Sequence, residues 1–378
     1  MQSLPQRRPT MSQVAARAGV SVMTVSYTYN RVDRVSAESR EKVLQAAAEL
    51  GYAGPDPAAR SLRYGNTRTL GVILGEHLTY AFDNPQAVTF LAGIAEVCAD
   101  RGYGMLIVPI AGGAEDSLRV SEVAVDAFII WTTTDDDPVL DAVSGSGRPA
   151  VIHGGPVRAG FKLVSIDNRA AAFAMGMKTF AGAHRPAILS FPLDSSRKTV
   201  LAAGIDPDTV RFPVTRQRLL GYRDAIEALG LDWNDVVVGA TATNNEGEAR
   251  SLAETMFALE QPIDAIAAMS DDLALGVLDA ATSAQLTVPE TLSVSGWDNS
   301  RASALHQLSS VAQNLRAQGA LAARLALGEE PGLAPDDWSV VVRASTGEPA
   351  TQRTEHGNTP IRRMGANREP FVRSDGLS

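Results

Sequence analysis

The chain has 378 residues and a mass of 39.9 kDa, more than a single domain usually needs. Hydrophobic residues at 45% and charged residues at 20% are globular values, which exclude a wholly disordered chain. The net charge of −9 argues against a protein that coats nucleic acid over its whole surface, but the charge is unevenly placed. Residues 1–63 carry nine Lys/Arg against five Asp/Glu, a net of +4; residues 64–378 carry 25 against 38, a net of −13. A small basic head precedes a large acidic body. Cys98 stands alone, so an internal disulfide and four-Cys zinc sites are excluded. The five histidines are scattered without metal-ligand spacing, and no metal or cofactor is expected. The N-terminal MQSLPQRRPT lacks an apolar h-region, and no apolar run approaches the ~18–20 residues of a membrane span. A cytoplasmic protein without membrane contact is expected.

Residues 1–8 are expected to be disordered, and 9–53 to form a helical head. Thr10-Met11-Ser12-Gln13 fits a capping box, followed by Val14, Ala15 and Ala18 at helical spacing and a stop at Gly19. Ser21 then caps a second helix over Val22–Tyr29, and the tight turn between them is the helix-turn-helix pattern. Ser36 caps a third helix, where Val43, Leu44, Ala47 and Leu50 form an apolar stripe that Gly51 ends. A plain three-helix bundle would share that core. Positive charge, hydroxyl residues at the helix starts, and Thr24 and Ser26 poised for phosphates favour DNA binding.

The run Thr10–Tyr52 resembles the headpiece of LacI-type (lactose repressor family) transcription regulators: AGVS, TVS-x-x-x-N, VS-x-x-(S/T)R and ELGY occur in order and at the family's spacing. The resemblance implies that Val22, Met23 and Tyr27 read bases. Tyr27 stands where the family usually has Arg and cannot grip guanine bidentately, so a departed operator half-site is implied, with thymine methyls against Val22 and Met23. The expected DNA-contacting set is completed by Thr10, Ser21, Thr24, Ser26, Asn30, Arg60 and Leu62. Residues 54–66 resemble the family's hinge, in which Leu62 would wedge the minor groove. The Tyr52-to-Leu62 spacing is one residue longer than usual and reads Gly-Pro-Asp-Pro where relatives have a P-N pair; an inert linker is the alternative.

From Thr69 onward, apolar strands alternate with amphipathic helices, which implies α/β architecture with parallel sheets covered on both faces. Ten strands are expected: Leu70–Leu74, Gly104–Val108, Ala127–Trp131, Ala150–His153, Leu163–Ile166, Pro186–Ser190, Val210–Val214, Val236–Gly239, Ala265–Met269 and Leu292–Ser295. They divide into two five-stranded, doubly wound lobes, about 67–165 with 298–325 and 166–297 with 326–348. Together, 67–348 resembles the family's effector-binding and dimerisation domain, which has the fold of type I periplasmic binding proteins. Ligands in such sheets bind beyond the carboxyl ends of the strands, here in the cleft between lobes. Strand ends offer Asp167-Asn168, Ser270-Asp271 and Trp297-Asp298. The resemblance adds Arg218, in RQRLLGYRDAI, at an effector-contacting position, matches Asp298 to an effector-binding Asp, and puts Ser270 where many relatives have Asn. Phe82 and Asp83, in the long stretch after the first strand, complete the expected effector set. Asp167, Asp298 and Arg218 also have plain readings, as a helix cap, a turn cap and a surface ion-pair partner. Trp131 divides between core and cleft, and Asn244-Asn245 between loop and ligand.

Residues 349–378 are poor in apolar side chains, which marks a disordered tail, and hold only Leu377, so tetramer-forming leucine heptads are absent and a homodimer is expected. Two other readings stand beside a ligand-controlled regulator, most simply a repressor, acting on double-stranded operator DNA under a sugar-like effector. One is a cytosolic sugar-binding protein and the other a doubly wound enzyme. Against the enzyme, no G-x-G-x-x-G follows the first strand, and neither a phosphate-binding P-loop nor a G-x-S-x-G elbow occurs, so no catalytic residue is named.

Overall fold

Hydroxyl caps start each of the first three helices. The computed structural model describes residues 9–54, 65–75, 78–110, 113, 115–330 and 337–347. Helices α1 (Met11–Ala18), α2 (Val22–Asn30) and α3 (Ala37–Leu50) open it. The Thr10–Gln13 capping box forms, with Thr10 N–H donating to Gln13 Oε1 at 2.8 Å. Ser21 and Ser36 accept from the N–H groups of Thr24 and Ser39 at 3.1 and 3.3 Å. Gly19 and Gly51 close α1 and α3 at φ +66°, a region glycine enters without steric cost. Val14, Ala15, Val25, Val43, Ala46 and Ala47 are the core of this unit, and Tyr29 packs edge-on to Tyr52 at 5.9 Å. Residues 1–8, the hinge residues Arg60 and Leu62, and the tail 349–378 lie outside the described residues.

The first sheet joins β1 (Thr69–Leu74), β2 (Gly104–Pro109), β3 (Ala127–Trp131), β4 (Ala150–His153) and β5 (Phe161–Val164), all parallel, in the order β2-β1-β3-β4-β5. The short α4 (Tyr80–Asp83) leads into α5 (Pro85–Arg101) on one face, while α6 (Asp116–Glu122) and α7 (Pro138–Gly145) cover the other. After α8 (Asn168–Thr179), the second sheet is built from β6 (Pro186–Ser190), β7 (Val200–Ala203), β8 (Val237–Ala240), β9 (Ala265–Ala268), β10 (Ser293–Trp297), β11 (Ser309–Gln313) and β12 (Trp338–Val341). Its order is β12-β11-β10-β9-β6-β8-β7, and the two edge strands β7 and β12 run antiparallel. Helices α9 (Pro213–Ala228), α10 (Glu246–Phe257), α11 (Asp271–Ser283) and α12 (Arg301–Leu305) belong with it, whereas α13 (Leu315–Ala326) crosses back and buries Leu315, Ala322 and Ala323 against the first sheet.

This architecture corrects the sequence expectation in three places. The second sheet has seven strands rather than five. The stretch Val210–Val214 is not a strand: a 3-10 turn at Pro207–Thr209 runs into Pro213, which occupies the first turn of α9, where its missing N–H costs nothing. Residues 298–313 belong with the second lobe, because β11 pairs with β10 there. The chain changes lobes at residues 166–168, again at 313–315, and a third time between α13 and β12.

Candidate functional site

Two surfaces collect the chemistry. On the head, Val22 and Met23 begin α2 and are 45% and 49% exposed, in a unit where Val14, Val25 and Val43 fill the core. Tyr27 lies one turn beyond Met23 on the same face, half-buried. Ser21 shares its hydroxyl with that of Thr24 at 2.9 Å. Ser26 is buried, and Asn30 donates to the Ser26 carbonyl at 3.0 Å. Thr10 and Ser21 stand at the helix starts, exposed, where unpaired N–H groups favour an anion. Arg17 is paired with Glu49 at 2.6 Å.

The second surface is a cleft between the two sheets, enclosing about 940 Å³ including space open to solvent. Its walls come from the carboxyl ends of strands: Trp131 ends β3 with Thr132 next to it, His153 ends β4, Gln313 ends β11, and Phe191, Asn244 and Asp298 follow β6, β8 and β10. Arg197 and Arg216 fasten the lobes beside it. Arg197 donates to the Gly75 carbonyl at 3.0 Å, and Arg216 pairs with Asp135 at 3.0 Å.

Arg218 on α9 lies on the floor, 5% exposed. Its Nε donates to Asn168 Oδ1 at 3.0 Å and an Nη to the Met269 carbonyl, while the guanidinium lies 3.6 Å from the Trp297 ring centroid. Burial lowers its pKa to about 10, which leaves it a cation at neutral pH. Asp298 accepts from Gln313 Nε2 at 2.7 Å. Burial pushes its carboxyl well above the usual carboxylate range, with the Arg218 cation pulling the other way. Asp298 has φ +103° and Asn299 φ +49°; such backbone persists only where surrounding contacts hold it, and concentrates at functional sites.

Of the eight effector residues expected from sequence, Arg218 and Asp298 line the cleft. Three others sit just behind its wall. Trp297 is fully buried beneath Arg218. Ser270 caps α11 and donates to Asn244 Oδ1 at 2.6 Å, thereby orienting a lining amide. Asp271 is buried, accepting from Ser300 N–H at 2.6 Å and Ser310 Oγ at 2.7 Å. Asp167 caps α8 through Ala170 N–H, and its neighbour Asn168 lines the cleft instead. Phe82 is 67% exposed and Asp83 is exposed beside it; the cleft takes Tyr80 from the same short helix. Sequence reasoning passed over His153, Phe191, Arg197, Phe212, Gln313 and Gln318, all of which line the cleft. His153 and Gln313 end strands and Phe191 follows one, whereas Arg197 lies in a loop, Phe212 precedes α9 and Gln318 lies within α13, so no single sequence signal joins them.

Among the described residues no group of His, Cys, Asp and Glu is arranged to hold a metal, and no helix is long and apolar enough to cross a membrane. Residues 10–54 match the family model of bacterial regulatory proteins, lacI family, and residues 196–346 match that of a periplasmic binding protein-like domain. An HTH-type transcriptional regulator of Mycolicibacterium smegmatis is 34% identical over 338 residues, 87% of this chain and 92% of that protein. Among solved structures, a complex of the transcriptional regulator CelR with cellobiose superposes with a TM-score of 0.61 at 25% identity, over 89% of this chain and all of that one. The lac repressor dimer bound to operator has the same fold, with a TM-score of 0.70 at 22% identity, over 91% of this chain and all of that one.

Proposed function

The chain belongs to the lacI family of bacterial regulatory proteins, and from that membership we propose that it is a homodimeric repressor whose grip on operator DNA is set by a sugar-like effector in the cleft. It is a transcriptional regulator rather than an enzyme, with a helix-turn-helix head and a ligand-binding body. Two heads would read a pseudopalindrome in successive major grooves, in the cytoplasm, where bacterial operators lie. The lac repressor of the same fold is a dimer on its operator, and CelR holds cellobiose; both assignments are carried here by analogy.

The observation that carries the effector reading is the buried Arg218 guanidinium, held by Asn168 and Met269 over Trp297 at the meeting of two lobes. Asn168 and Met269 take two of its five N–H groups, and the others can donate to ligand oxygens. The amides of Asn168, Asn244, Gln313 and Gln318 add donors and acceptors for vicinal hydroxyls, and Trp131, Phe191 and Phe212 offer faces for the apolar side of a sugar ring. The DNA contacts we propose are Val22, Met23 and Tyr27 to bases, Thr10, Ser21, Thr24, Ser26 and Asn30 toward the backbone, and Arg60 and Leu62 from the hinge, a reading that family membership supports.

A screen of neutral mono- and disaccharides by thermal melting tests this reading. A ligand at 100 times its Kd adds about 2.7 kcal/mol of stability. The stabilising sugar is expected to change operator affinity by one to two decades. Arg218→Ala is expected to abolish that response while operator binding in the sugar's absence stays within about twofold; an unchanged response would place the effector elsewhere.

A further inference from the structure

His153 is a neutral histidine that the contacts above leave half-used. Its ring is 8% exposed at the end of β4 and lines the cleft, with ring centroids 4.7 Å from Phe90 and 4.8 Å from Trp131. Nε2 lies 2.7 Å from Gln318 Oε1, whereas Nδ1 has no partner among the described residues. Thr132, whose N–H donates to the His153 carbonyl at 2.9 Å, has its Oγ1 in the same condition.

The direction of the hydrogen bonds follows from the far end of the chain. Gln313 turns its Nε2 toward Asp298 Oδ1, at 2.7 Å, and an amide N–H only donates. Gln313 Oε1 then faces Gln318 Nε2 at 3.5 Å, a long contact but the right polarity. That leaves Gln318 Oε1 for His153, and an amide oxygen only accepts. His153 therefore carries its proton on Nε2, and a neutral imidazole with Nε2–H has a bare lone pair on Nδ1. Burial lowers the imidazole pKa to about 4, so the ring stays neutral at pH 7.

We propose that His153 is a ligand-reading residue of the first lobe, whose Nδ1 accepts a hydrogen bond from a hydroxyl of the bound effector. The assignment rests on the cleft being the effector site. It makes the cleft two-sided. Arg218 on the second lobe donates to effector oxygens, His153 on the first accepts a hydrogen bond from an effector hydroxyl, and Gln318 and Gln313 link His153 to Asp298 across the lobe crossing at 313–315. A buried acceptor discriminates strongly, because an analogue lacking the donor leaves it unpaired.

The test uses full-length protein labelled with 15N-histidine and titrated with cellobiose, ribose and glucose. The ligand-free ring is expected to be neutral at pH 7 with its proton on Nε2. Saturation with whichever saccharide raises the melting temperature should move the Nδ1 resonance toward that of a hydrogen-bonded acceptor. His153→Phe, which keeps an aromatic ring in the cage, should weaken that saccharide by about ten- to a hundredfold. A proton found on Nδ1, or a stabilising saccharide that leaves the Nδ1 resonance in place, overturns the subsite while the cleft reading stands. Failure of all three sugars to raise the melting temperature removes the sugar cleft itself, and the subsite with it.

Discussion

At the scale of single residues, buried polar groups decide what the cleft can recognise. His153 illustrates the cost of keeping one. Its folded pKa of about 4 lies below the ordinary 6.5 because burial disfavours the charged ring, an effect that outweighs the bond to Gln318. Between pH 6.5 and 4 the unfolded chain therefore binds a proton that the folded chain refuses, so stability falls as pH drops through that window. The loss reaches up to ~3 kcal/mol by pH 4. Urea midpoints across that range should fall more steeply for the wild-type protein than for His153→Phe; parallel curves would show that the ring charges within the fold. None of this was readable from the sequence, where His153 was one of five scattered histidines. Arg218 was readable, because the resemblance places it three residues before Gly221-Tyr222. Its burial over Trp297 was not, since that depends on helix α9 meeting the end of β10, far along the chain.

At the scale of elements, glycines set how closely helices approach. Gly93 on α5 and Gly319 on α13 face each other's backbones: a Cβ at Gly93 would come within 2.0 Å of the Arg316 carbonyl oxygen, and one at Gly319 within 2.1 Å of that of Phe90. Backbone cannot step aside as a side chain can, so the helices must separate. Gly93→Ala is expected to destabilise by ~1–3 kcal/mol or more, against the ~1 kcal/mol gain that Gly→Ala brings to an unconstrained helix. A higher melting temperature in the variant would mean that the helices do not pack this closely. The helices and buried parallel strands of this body were legible because their apolar periods are unbroken, as in β3 (AFIIW). Strand β11 was hidden by its composition, SSVAQ. Its serines are buried yet satisfied, Ser309 sharing a hydrogen bond with Thr346 at 2.6 Å and Ser310 donating to Asp271. A strand whose inward face is polar gives no period-2 signal. Missing β11 also misassigned 298–313 to the first lobe, which hid Gln313 as a cleft residue.

At the scale of the whole molecule, the uneven charge separates two tasks. The basic head meets phosphates, whose grip falls linearly on a log–log scale with salt, and the acidic body gives the rest of the surface no attraction for DNA. An apolar hinge wedge would contribute differently from either. Leu62 carries no charge, so inserting it between base steps releases no counterions, and its contribution depends on how easily the central operator steps unstack. Leu62→Ala is therefore expected to weaken specific operator binding by about ten- to a hundredfold, on the order of 1–3 kcal/mol for a lost wedge. Binding to unrelated duplex should stay within about twofold, and the salt slope of the variant should match that of the wild-type protein. Electrophoretic titrations on operator and random DNA at several salt concentrations separate the outcomes. Equal loss on both duplexes would reduce the segment around Leu62 to a tether, and a flatter slope would show that its substitution disturbs the phosphate contacts of the head.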